Sequence, residues 1–71
     1  MAQDVCTRFG ERLRKLREKQ NWSQEDLAAK SGLAQNFISK LENGKKEPCL
    51  RTIETLSDTF KLSISRFMSR L

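Results

Sequence analysis

Seventy-one residues with fourteen Lys and Arg against nine Asp and Glu give a net charge of +5, and the chain contains no histidine. A length of this order is expected to make one domain, which buries only ~60% of its unfolded surface and so calls for a compact, helix-dense core. Without an imidazole, zinc fingers and His-based catalysis are excluded.

The basic excess favours polyanions, nucleic acid first and an anionic membrane surface second, although a merely soluble basic surface has the same composition. Cys6 and Cys49 are unclustered and read as reduced, packed thiols in a cytoplasm. The stretch from Met1 to Cys6 has no apolar signal core, and the longest apolar run, Leu27-Ala28-Ala29, is far too short to span a membrane. A soluble intracellular protein is expected, with no metal, cofactor or membrane partner.

Val5, Phe9, Leu13 and Leu16 form one stripe of a first helix over about residues 6–19, whose other faces carry Arg8, Arg12, Arg14 and Arg17 among other charges. Gln20-Asn21 ends it. Ser23 is a good N-cap for the second helix, with Asp26 three residues on and Trp22 placed to close over Leu27 as a hydrophobic staple. Gly32 supplies the positive φ that stops this helix, and Leu33 plugs the turn. The third helix starts at Ala34 or Gln35 and runs to about Asn43, where Asn43-Gly44 stops it and Lys45-Lys46-Glu47-Pro48 forms a charged loop. Leu50, Ile53, Leu56 and Phe60 mark the inner face of a fourth helix. After Leu62, Ser63 caps a short fifth helix over about residues 63–71. The expected fold is all-α, a single domain over residues 1–71 with five short helices held by packing rather than propensity.

At ~100° per residue the third helix divides in two. Ala34, Ile38 and Leu41 fall on one arc with Phe37 at its edge; Gln35, Asn36, Ser39, Lys40 and Asn43 fall on the other. Small Ala28 lets helices two and three approach closely. The outer arc matches base-edge chemistry, since Gln and Asn amides pair with adenine N6 and N7 and Lys reaches guanine O6 and N7. An ordinary solvated helix face has the same composition; the position after a Gly turn, beside Lys45 and Lys46, separates the two readings. Phe37 either fills the core rim or lies against deoxyribose or a thymine methyl.

The spacing Gln24, Ala28, Gly32, Ile38, Leu41, followed by Glu42-Asn43-Gly44-Lys45, resembles the Cro/CI (XRE) family of helix-turn-helix regulators. Pro48, Leu50, Thr52-Ile53, Leu56 and the ending Leu62-Ser63-Ile64-Ser65-Arg66-Phe67 resemble it too, so the likeness covers Phe9 to Phe67. The short form is similar to phage repressors and to controller proteins of restriction–modification systems. The resemblance implies a compact lambda-repressor-like domain with its helix-turn-helix over about residues 23–43. It also implies a bacterial or phage-encoded, cytoplasmic transcription regulator that binds a pseudo-palindromic double-stranded DNA site as a homodimer. The family pattern makes Gln35, Asn36, Ser39 and Lys40 base-reading residues and assigns Ser23, Gln24, Asn43, Lys45, Lys46 and Arg17 to the DNA backbone. Arg17 and Glu42 match an ion pair tying helix one to helix three, and Ile64, Phe67, Met68 and Leu71 match a dimer contact.

Three positions depart from the pattern. Ala34 stands where a Ser or Thr cap is usual, which forfeits about 0.5–2 kcal/mol. Cys49 stands where a capping Ser is common, and Lys61 replaces a frequent Gly, so a positive φ there carries strain. Repression by occluding RNA polymerase, or activation by docking beside it, would follow from where the site lies. Two other functions share part of this pattern: a helical protein-interaction module without DNA binding, opposed by the polar arc and Lys45-Lys46, and RNA binding, opposed by the scarcity of free aromatics to stack unpaired bases.

Overall fold

Five α-helices make up the regular structure of the described residues, 4–69 and 71, in the computed structural model. Residues 1–3 and 70 of the expected single domain lie outside the described residues. The helices are α1 (Val5–Lys19), α2 (Gln24–Ser31), α3 (Gln35–Glu42), α4 (Leu50–Thr59) and α5 (Ile64–Phe67). Their short-range signals act much as expected. Ser23 and Asp26 form a reciprocal capping box, Ser23 Oγ accepting from Asp26 N at 3.0 Å and Asp26 Oδ2 from Ser23 N at 2.9 Å. Hydrogen bonding from Ser23, by its backbone N–H first and then its side chain, ahead of the pull of Lys30, holds the Asp26 carboxyl below its ordinary value. Gly32 ends α2 at φ 78°, and Ser63 accepts from Arg66 N to start α5. Asp4, not singled out in the sequence, caps α1 by accepting from Cys6 N at 2.9 Å.

Phe9 and Leu13 of α1, Leu27 of α2, Ile38 and Leu41 of α3, and Leu56, Phe60 and Phe67 from the last two helices form one buried cluster. Each such side chain contributes about 1.5–3 kcal/mol on burial, which is what holds helices of eight or ten residues in place. Trp22, expected to close over Leu27, packs on the same cluster and stacks on Phe60, with ring centroids 5.3 Å apart. Leu33, expected as a buried plug, is half-buried against it.

Several expected core positions lie at the surface. Leu50 is 83% exposed and Val5 52%. The buried arc of α4 is centred near Leu56 and Phe60, and ~100° per residue carries Leu50 about a quarter-turn away from it. Val5 sits in the first turn of α1, at the edge of a shallow apolar cleft with Pro48, Ile53, Met68 and Leu71. Cys49, expected to be packed, is exposed, and Cys6 is half-buried.

Candidate nucleic-acid interface

The capping box at Ser23 and the left-handed Gly32 fix where α2 begins and ends, and the turn after Gly32 sets α3 across it. Ile38 and Leu41 of α3 are 0% exposed, so this helix cannot rotate without emptying the core. Its other side is thereby presented outward. Gln35, Asn36 and Lys40 are exposed and Ser39 half-buried, and these four line one open, shallow concavity together with Gln24. Phe37 is half-buried against the core, which favours its rim-filling role. The amides and the ammonium are thus gathered on one unshielded face.

Behind that face sits Glu42, 3% exposed. Arg17 holds it bidentately, Nε donating to Oε2 at 2.7 Å and Nη2 to Oε1 at 3.0 Å. Gln24 Nε2 donates to Oε1 at 3.1 Å, and Arg14 Nε does so at 3.4 Å. Burial alone would raise the carboxyl's pKa. The hydrogen bonds from Arg17, Gln24 and Arg14 and the Arg17 charge outweigh it, and Glu42 is held below its ordinary value. Arg17 also donates to the Trp22 carbonyl at 2.8 Å, so one guanidinium joins α1, the entry to α2 and the end of α3. The expected ion pair is present, with the side chain of Arg17 only 12% exposed.

Gln24 has one N–H directed to Glu42, so a backbone contact by this residue would use its other N–H. Ser23 holds its own capping box. Asn43 caps the C-terminus of α3, with exposed Lys45 and Lys46 following it. Gly44 turns the chain at φ 72°, where a Cβ would lie 3.0 Å from Thr7 Oγ1, so the loop is seated on α1. Ala34 gives α3 no side-chain cap, as expected, and Cys49 gives none to α4; its Sγ lies 3.3 Å from Thr52 Oγ1. Lys61 takes φ 58°, the strained conformation expected there.

The expected dimer contact is corrected at one position. Phe67 is 0% exposed, edge-on to Phe9 and stacked with Phe60, so it belongs to the core of its own chain. Ile64 is 48% exposed, and Met68 and Leu71 are half-buried. Two arginines not singled out in the sequence tie this end down: Arg12 donates to the carbonyls of Phe67 and Arg66, each at 2.9 Å, and Arg8 donates to that of Leu71. Their position on α1 was readable; their acceptors are backbone atoms more than fifty residues away.

The helix-turn-helix family model matches residues 13–67, most of the chain. The chain belongs to the Cro/CI (XRE-type) helix-turn-helix family, DNA-binding regulators of transcription. Among its XRE-type relatives is control protein C.MunI of Mycoplasma sp, 39% identical over 67 residues, a match covering 93% of this chain and 90% of that protein. The transcriptional regulator PuuR of Escherichia coli is 38% identical over 60 residues, but the chain spans only 32% of PuuR's length. The restriction-modification controller protein C.AhdI of Aeromonas hydrophila superposes with TM-score 0.84 at 33% identity, over 90% of this chain and 96% of that one. The fold is also that of the controller protein C.Esp1396I, solved as a tetramer in complex with its natural 35 base-pair operator, with TM-score 0.85 at 24% identity over 96% of this chain and 90% of that one. No helix among the described residues is long and apolar enough to cross a membrane.

Proposed function

We propose that this XRE-type chain is a cytoplasmic, sequence-specific regulator that binds a pseudo-palindromic operator as a homodimer, with α3 in the major groove. The observation that carries the reading is the concavity in which Gln24, Gln35, Asn36, Ser39 and Lys40 meet, unshielded and backed by a fixed helix. Gln35, Asn36, Ser39 and Lys40 read base edges. Lys45, Lys46, Asn43, Gln24 and Ser23 hold the phosphates, and Arg17 lends charge from behind. Two-fold pairing through Ile64, Met68 and Leu71 sets the recognition helices one DNA turn apart, ~34 Å. Operator placement then decides the outcome: occlusion of RNA polymerase represses, and docking beside it activates. No catalysis is involved. The likeness to control protein C.MunI over nearly the full length of both chains supports a controller-type role.

Selection from random duplex DNA, followed by a salt titration on the winning sequence, tests the reading. The expected result is a palindromic consensus whose affinity falls steeply with salt, each phosphate contact adding ~0.9 to the slope. Enrichment of no sequence, with weak and salt-insensitive binding, would instead indicate a protein-interaction module.

A further inference from the structure

Arg14 lies about one helical turn before Arg17, on the seam between α1 and the end of α3. Besides its bond to Glu42, it donates from Nη2 to Asn43 Oδ1 at 3.2 Å, and 43% of its side chain stays exposed. A guanidinium carries donors and no acceptor, so the edge that Asn43 turns toward it must be the amide oxygen. The two amide N–H groups of Asn43 then face away from Arg14, and among the described residues they have no protein acceptor. A DNA phosphate accepts hydrogen bonds and cannot donate them, so Asn43 can hold one only with its amide turned this way. The opposite orientation would aim a carbonyl oxygen at an anion.

We infer that Arg14 is a positioning residue for the DNA backbone, locking the Asn43 amide so that its N–H groups meet a phosphate. Buried Glu42 holds the same guanidinium at Nε, so Arg14 is held at two points rather than swinging free. The inference rests on the proposed function above and adds to it a determinant on α1, outside the helix-turn-helix.

A double-mutant cycle with a fluorescent mixed-sequence DNA duplex at low salt tests it, since phosphate contacts act on any sequence. Asn43→Ala is expected to weaken binding about fivefold in the wild-type background, the scale of one hydrogen bond, and less than about twofold beside Arg14→Ala. Asn43→Asp, which keeps the oxygen facing Arg14 but has no N–H, should bind worse than Asn43→Ala. Urea midpoints report folding, and Asn43→Ala and Arg14→Ala are each expected to keep that of the wild type because Arg17 still holds Glu42. Equal fold-losses from Asn43→Ala in both backgrounds would overturn the inference while leaving the proposed function intact. A wild-type chain that bound no duplex would overturn both.

Discussion

Glu42 is the residue on which the site's geometry turns, because its carboxylate receives donors from α1 and α2 while belonging to α3. Removing one member of a buried pair leaves the other charge uncompensated, at about 3–5 kcal/mol. Glu42→Ala should therefore destabilise the domain by an amount near that range in urea unfolding. The same carboxylate sets a pH dependence. Its pKa in the folded chain lies below the ordinary 4.5, so its contribution is fully present above that value and is lost as pH falls through the lower, folded value. Between about pH 7 and about pH 3 the urea midpoint of the wild type should fall further than that of Glu42→Gln, which keeps an acceptor but cannot titrate. Parallel losses in the two proteins would show that other carboxyls, Asp26 among them, carry the acid sensitivity.

Between elements, the decisive contact is the approach of α1 to the C-terminal end of α3. Gly10 faces the carbonyl oxygens of Leu41 and Glu42, and a Cβ placed on it would lie 2.5 Å from each. Both are backbone atoms of a helix fixed by the core, so neither can give way cheaply. Gly10→Ala gains about 0.5–1 kcal/mol of helix preference but incurs overpacking of about 1–3 kcal/mol, so net destabilisation is expected. A raised urea midpoint would show that the seam yields. Neither Gly10 nor Arg14 stood out in the sequence, for a common reason: their roles appear only once α1 and α3 lie side by side. By contrast Ser23, Asp26, Gly32 and Ser63 act within a few residues of themselves, so the helix ends they set could be read directly, whereas the fifth helix, expected over about residues 63–71, ends at Phe67. The outer arc of α3 was equally legible, because periodicity alone separates it from Ile38 and Leu41. Where periodicity is blunt, at the edges of an apolar arc, Leu50 and Val5 were wrongly placed inside.

For the whole molecule, the question is which apolar residues complete one chain and which join two. Phe67 lies between Phe9 and Phe60, so its truncation empties the core, at about 3–5 kcal/mol, and reports nothing about association. Ile64 is different: it is half-exposed on α5, next to the Ser63 cap, and makes no part of the buried cluster. Replacing it should spare the fold. Ile64→Glu would place two carboxylates against each other across a two-fold contact, opposing pairing by both charge and lost apolar area. A palindromic operator gathers its affinity from both half-sites at once, so a chain that cannot pair binds each half independently and weakly. Ile64→Glu is therefore expected to sediment as a monomer and to lose at least about tenfold in operator affinity. Its binding to an isolated half-site should match the wild type, and its helical circular dichroism should show the monomer still folded, with a urea midpoint lowered only by the lost association. An unchanged sedimentation profile would move the dimer contact away from Ile64, to the open apolar cleft lined by Val5, Pro48 and Ile53 first.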